Sequence, residues 1–206
     1  MSVLQTITLS CWVIFILYWF INWKKVKPTL DPTPSNIWTQ TVWIRLIVVA
    51  VIAFIIFVSK KLNIFSQCKT NWSGCYTSFL ISRHPNFFLQ LIGVILTILG
   101  MLTAIAARNK LAGNWSSTID LKKGHELITT GIYSYVRHPI YLGIGLMGLG
   151  ALFELQSIIF IFVYVILLIV YWFRIRTEEA LMSKVFPKEY LKYKKKVKAV
   201  IPFMLI

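Results

Sequence analysis

The sequence predicts an all-α integral membrane protein with about five transmembrane helices and a C-terminal interfacial helix. Three observations predict it. Of 206 residues, 57% are hydrophobic and only 14% charged, where a soluble domain carries about a quarter charged residues. The mean hydropathy is +0.71. The apolar residues also gather into roughly five runs long enough to cross a ~30 Å hydrocarbon core. One domain over residues 1–206 is expected, with a two-span N-terminal hairpin and outer loop (1–86) and a functional core (87–206).

The first run, near residues 3–22, has no basic residue before it and Lys24, Lys25 and Lys27 directly after. That is the wrong charge order for a cleavable signal peptide, and no small-residue cleavage site follows, so it is expected to remain a span. The second lies near 42–58, with Arg45 placed to snorkel to the interface. The 59–86 loop contains "CKTNWSGCYTS". Its Cys68 and Cys75 read either as a small disulfide in an oxidising compartment or as two thiols. Asn71-Trp72-Ser73 fits the glycosylation sequon, a weak three-residue match. An Arg-His-Pro in "SRHPNFF" (82–88) reads as a basic flank before a helix start rather than as an internal repeat.

The third run spans 87–107. The fourth, 139–153, is short, and Pro139 suits its first turn. Only Glu154-Leu155-Gln156 separates it from the fifth run, 157–173, so the pair reads as a tight helical hairpin. The tail "FPKEYLKYKKKVKAVIPF" alternates aromatics with lysines. It reads as an interfacial helix with affinity for anionic lipid and no catalytic role.

The net charge is +15. The basic residues lie between and after apolar runs, the membrane-protein pattern, so the bilayer is the expected partner and nucleic acid is not. Lys24, Lys25, Lys27, Arg108, Lys110, Lys122, Lys123, Arg137 and the C-terminal lysines collect on one side. Lys60, Lys61, Lys69 and Arg83 lie on the other. The C-terminus and the 108–138 loop are therefore expected in the cytoplasm, and the N-terminus outside. Three cysteines and three histidines are too few and scattered for a zinc framework, and no metal is expected.

Unusual residues converge at the cytoplasmic end of the last three runs. "GIYSYVRHPIYLG" (131–143) sets Arg137 and His138 at a membrane boundary, where charged and titratable groups are expensive unless used. His138 alone also fits an interfacial histidine with a backbone partner. Gly143, Gly145, Gly148 and Gly150 within one helix read first as small-residue packing, and otherwise as a backbone left bare for a ligand. The fifth run ends in "YWFRIRTEEALMSKVF", where Arg174 and Glu178 share a helical face. Such pairs commonly only stabilise a helix. Here the hairpin returns the pair beside Arg137 and His138, which makes a candidate small-molecule site.

Together, "HELITTGIYSYVRHPIYLG", "RIRTEE" and "FPKEYLKYKKKV…IPF" resemble the isoprenylcysteine carboxyl methyltransferases, which are related to the integral-membrane phospholipid methyltransferases. The match covers about residues 108–203. The resemblance implies a five-span core that binds S-adenosylmethionine in a pocket near the cytosol, enclosed by the loop and the C-terminal helix. It also implies a side opening for a lipid-modified, prenylcysteine-like or other hydrophobic methyl acceptor. His125, Glu126, Leu127, Ile128, Tyr133, His138, Pro139, Ile140 and Tyr141 fall on the family's cofactor-binding positions. Arg174 falls on the arginine facing the substrate carboxylate, which makes it the catalytic and substrate-binding candidate. Glu178 falls on a glutamate facing the cofactor, and Glu179 completes the acidic pair. Thr118 stands where some members have a cofactor-contacting glutamine, and Pro187 where a glycine is usual.

Methyl transfer from a sulfonium to a carboxylate suits these residues. A carboxylate with a pKa near 4 is ionised at pH 7 and needs no general base. What remains is alignment and exclusion of water, and arginine can fork onto both carboxylate oxygens. A phospholipid amine as acceptor would instead require proton uptake by His138 or a glutamate. A sterol-type reductase using NADPH shares only the Arg-His-Pro string.

Overall fold

The computed structural model describes residues 2–22, 28, 86–115 and 123–200. The second run (42–58), Arg45, the Cys68–Cys75 loop, the Asn71 sequon, Arg83-His84-Pro85, Thr118 and Ile201–Phe203 lie outside the described residues. So do Lys24, Lys25 and Lys27. The regular elements of the described residues are α-helices: α1 Val3–Asn22, α2 Phe87–Leu111, α3 Pro139–Leu155, α4 Ile158–Val185 and α5 Pro187–Lys196. Two short 3-10 turns, Ala112–Asn114 and Gly131–Ser134, punctuate the connection between α2 and α3. Segments Val3–Asn22, Phe87–Asn114 and Phe160–Val185 are long and apolar enough to cross a membrane, and α3 is a shorter apolar helix.

The exposed side chains invert the rule for soluble proteins. Ile16 and Phe20 on α1, and Ile169 and Phe173 on α4, are exposed, which costs nothing against lipid tails. Helix packing must then come from close approach rather than from the hydrophobic effect. Gly93 and Gly100 on α2 meet Gly150 and Gly143 on α3. A Cβ on Gly100 would stand 2.5 Å from the Gly143 carbonyl oxygen, and one on Gly143 2.6 Å from that of Gly100. Each pair is seven residues apart in sequence, the spacing that keeps one seam facing its partner along two helices. Thr97 and Met147, both fully buried, fill the seam between the glycine pairs. Gly143 and Gly150 are thus packing residues. Gly148 meets Tyr164 of α4, and a Cβ on Gly145 would meet nothing within 4 Å.

The hairpin turn is shorter than the sequence suggests. Helix α3 continues through Glu154 and Leu155, and Gln156 ends it in the left-handed region at φ 47°. The Gln156 side chain accepts from the Asn86 backbone N–H at 3.0 Å and donates to its carbonyl at 3.1 Å. Asn86 in turn caps α2 by accepting from Phe88 and Leu89 N–H groups at 2.9 and 3.2 Å. One reciprocal amide pair therefore fixes the start of α2 against the α3–α4 turn. Helix α4 does not stop at residue 173 but runs on for 28 residues to Val185, about 42 Å at 1.5 Å per residue. That continuity carries Arg174, Glu178 and Glu179 rigidly beyond the apolar region.

Candidate active site

A cavity of about 440 Å³ lies where α2 ends, α3 begins and α4 leaves the apolar region. The chain between α2 and α3 shapes one side of it. Gly131, at φ 66°, opens a 3-10 turn that a Cβ-bearing residue would strain. The turn drives Tyr133 into the interior, and Ser134 closes it by donating to the Gly131 carbonyl at 2.7 Å. His138 stays out of the helical region, at φ -124° and ψ 60°, as a following proline favours, and Pro139 begins α3 at its first position.

A continuous polar chain crosses the cavity wall. Arg174 donates through Nε to the Tyr141 hydroxyl oxygen at 2.7 Å and to Glu178 at 3.4 Å. Tyr141 donates to the same Glu178 carboxylate. His138 presents Nδ1 to Glu178 at 3.7 Å and Nε2 to Glu179 at 3.3 Å. Glu179 is also gripped by Arg137, at 2.9 Å from Nε and 2.5 Å from a terminal nitrogen, and by Lys194 at 2.7 Å. Three helices are joined by this one network.

The far wall comes from the C-terminal segment. Pro187 starts α5 after Phe186 breaks the helix, a place where proline's missing N–H costs nothing. Tyr190 and Tyr193 turn inward and line the cavity. Tyr193 donates to the Tyr133 carbonyl at 2.5 Å. Beyond α5, the Lys198 and Ala199 carbonyls accept from the Arg137 and His138 N–H groups at 2.8 and 2.9 Å. Burial pushes the Tyr193 hydroxyl up to about 12 and moves Tyr133 and Tyr190 up as well. All three stay protonated as neutral donors at neutral pH. The tail is therefore part of the site and not merely a lipid-facing helix, because its aromatic face is buried while its lysines stay out.

The opposite rim belongs to α1 and the end of α2. Trp19 meets Trp115 edge to face with ring centroids 6.2 Å apart, and both line the cavity. The Arg108 guanidinium lies 4.5 Å over the Trp115 ring. It donates to the Ala112 carbonyl at 2.7 Å and to the Asn22 carbonyl at 3.2 Å. One arginine thus ties the ends of α1 and α2 together.

Known proteins are similar to this chain in sequence and in fold. The model of the phospholipid methyltransferase family matches residues 88–189. A protein-S-isoprenylcysteine O-methyltransferase of Saccharomyces cerevisiae is 39% identical over 119 residues, covering 55% of this chain and 48% of that protein. The protein of the same description from Mus musculus is 33% identical over 121 residues, covering 57% and 42%. A solved eukaryotic intramembrane Ras methyltransferase, isoprenylcysteine carboxyl methyltransferase, superposes with a TM-score of 0.52 at 26% identity, covering 73% of this chain and 52% of that one. The chain is similar to the phospholipid methyltransferase family over about half its length and to the isoprenylcysteine methyltransferases. It spans about half the length of the curated relatives it matches.

Of the residues that the family resemblance singled out, His125, Glu126, Leu127, Ile128, Tyr133, His138, Ile140, Tyr141, Arg174 and Glu178 all line the one cavity. Pro139 and Glu179 do not. Pro139 is fully buried, and Glu179 lies behind the lining residues Arg137 and His138, paired with both and with Lys194. The two glutamates share His138 but otherwise differ in partners, since adjacent helical residues are rotated by about 100°. Glu178 meets Tyr141 and Arg174, and Glu179 meets Arg137 and Lys194. Sequence reasoning missed Trp19, Trp115, Tyr171, Tyr190 and Tyr193 on the wall. Trp19 carried no signal, being one aromatic among several in an apolar run. Tyr190 and Tyr193 did carry one, an aromatic pair three residues apart in an otherwise lysine-rich helix.

Proposed function

We propose that this protein transfers a methyl group from S-adenosylmethionine to the carboxylate of an isoprenylcysteine-type, lipid-modified acceptor within the membrane. The observation that carries the reading is the Arg174–Tyr141–Glu178–His138 chain on the wall of a cavity at the apolar boundary. It sets an arginine suited to a carboxylate beside a carboxylate suited to a cation.

The cavity fits the cofactor in size and chemistry. Small-molecule sites run from about 300 to 1,000 Å³, and this one has about 440 Å³. Glu178 and Glu126 would set negative charge toward a cationic ligand, and Tyr133, Tyr141 and Tyr190 would offer aromatic faces to it. When bound, S-adenosylmethionine supplies a methyl group activated by a positively charged sulfur. Arg174 would hold the acceptor carboxylate, with Tyr141 and Glu178 fixing its orientation. Ile144, Leu181 and Met182 make part of the wall apolar, which would help displace water when ligands bind and so favour charge neutralisation. No residue is required to move a proton, because the acceptor is already ionised.

On the same reading the cavity and the C-terminus face the cytoplasm and the N-terminus lies outside, as the lysine asymmetry requires. Residues 87–206 form the catalytic core. Labelled S-adenosylmethionine should bind the purified protein and label N-acetyl-S-farnesylcysteine in detergent or nanodiscs. Labelling of phosphatidylethanolamine instead would transfer the reading to an amine acceptor. Absence of cofactor binding would remove it.

A further inference from the structure

Glu179 and Arg137 are each only 6% exposed; Arg137 and His138 line the cavity, and Glu179 sits behind them, bonded to both. Their bonds lead to the C-terminal segment. Arg137 reaches Glu179 with Nε and one terminal nitrogen, and its other terminal nitrogen donates to the Val197 carbonyl and, at 3.3 Å, to that of Lys194. Those carbonyls sit at the C-terminal end of α5, where helix carbonyls lack internal donors and favour a cation. Lys194 closes the loop by pairing with the second Glu179 oxygen at 2.7 Å. Arg137 and His138 also bind Lys198 and Ala199 through the backbone, and Val136 bridges Lys198.

Helix α5 is a poor candidate for docking on apolar burial alone. Its inward face has just Tyr190 and Tyr193, and its exposed face carries Lys188, Lys192, Lys195 and Lys196. Those two tyrosines are nonetheless a wall of the cavity. Detaching α5 would open that wall to water.

We propose that Arg137 and Glu179 are positioning residues that latch residues 187–199 over the cavity, and that this latch controls how fast a bound cofactor leaves. The proposal rests on the reading of the cavity as the cofactor site. It gives Glu179 a role distinct from that of Glu178: it holds the wall, while Glu178 faces the ligand. A buried ion pair of this kind adds little net stability but defines one arrangement of the parts it joins.

The test uses the full chain in nanodiscs, with wild type, Arg137→Lys, Glu179→Gln and Tyr193→Phe. Labelled S-adenosylmethionine reports dissociation, and limited trypsin digestion reports cleavage after Lys188, Lys192, Lys195 and Lys196. In wild type, saturating cofactor should slow cleavage several-fold. Each variant should release cofactor about tenfold faster, the loss of one charged hydrogen bond or so. The acceptor KM should stay near that of wild type, and protection by cofactor should be lost. A purely structural role would lower the fraction of active protein and leave the dissociation rate of the remainder unchanged. That outcome overturns the latch, as does wild-type cofactor binding without protection of the tail. Should Arg137→Lys not fold, Glu179→Gln and Tyr193→Phe decide the matter alone. Absence of cofactor binding to wild type would instead refute the reading of the cavity.

Discussion

Arg174 on α4 donates to the hydroxyl oxygen of Tyr141 on α3 at 2.7 Å, across the mouth of the helical hairpin. An exposed Arg–Glu pair four residues apart would contribute under about 1 kcal/mol and leave the guanidinium mobile. Here Tyr141 holds it from a second helix. Tyr141→Phe removes that hold and should lower kcat/KM for a prenylcysteine acceptor by about tenfold or more. Steady-state kinetics with varied acceptor measure it, and an unchanged value would show that Arg174 needs no orientation.

Arg174 and Glu178 should separate by function. Arg174→Ala should abolish methyl transfer while cofactor affinity survives, and Arg174→Lys should rescue it poorly, since a point charge cannot hold both oxygens. Glu178→Ala should weaken cofactor binding by roughly 10- to 150-fold, the value of about 1.5–3 kcal/mol for a charged hydrogen bond. Equal losses of cofactor affinity in the Arg174 and Glu178 variants, read by isothermal titration, would contradict this division.

The glycine seam allows a comparison within one helix. Gly143→Ala places a Cβ 2.6 Å from the Gly100 carbonyl oxygen, a backbone atom that cannot step aside. It should destabilise the α2–α3 packing by about 1–3 kcal/mol. Gly145→Ala, two residues on, meets nothing within 4 Å and should be neutral or slightly stabilising. Thermal melting in detergent distinguishes them, and similar midpoints would rule out the seam as a packing constraint.

The Tyr193 hydroxyl sets an alkaline limit on the closed tail. Its folded-state value, pushed up to about 12 by burial, lies above the ordinary value of about 10. A proton held more tightly in the folded state stabilises below pH 10, and that contribution fades as pH rises toward 12. Thermal stability should therefore be flat from about pH 7 to 9 and decline above 10. Tyr193→Phe should weaken the dependence, with Tyr133 and Tyr190, also raised by burial, retaining the rest. Turnover should also vary little between about pH 6 and 8, because the acceptor carboxylate is ionised throughout.

Sidedness can be read by labelling in sealed vesicles. An impermeant amine reagent should reach Lys188, Lys192, Lys195 and Lys196 only from the cytoplasmic face. An impermeant thiol reagent should reach Cys68 and Cys75 only from the opposite one, after reduction if they are bridged. Labelling of both regions from one face would overturn the assigned orientation.

The sequence by itself determined that the chain is a helical membrane protein, and it pointed to Arg137, His138, Arg174 and Glu178, which the structure brings to one cavity wall. The reason is energetic: apolar runs of spanning length must be helical in lipid, and charged groups at their ends are conspicuous because they are costly there. It also carried the packing glycines, although not which of the four would meet a neighbour. Gly143 and Gly145 are indistinguishable in sequence, and only the path of α2 makes one a contact and leaves the other open. The tertiary structure likewise decided that Glu178 lines the cavity while Glu179 pairs with Arg137 and with Lys194 of the tail. It placed Trp19 on the rim from a helix more than a hundred residues away from Tyr133, and it made the lysine-rich tail a wall. Each of these depends on the rotation of one helix against another, by a fraction of a turn, and that angle is set by the packing of all the helices together rather than by any local run of residues.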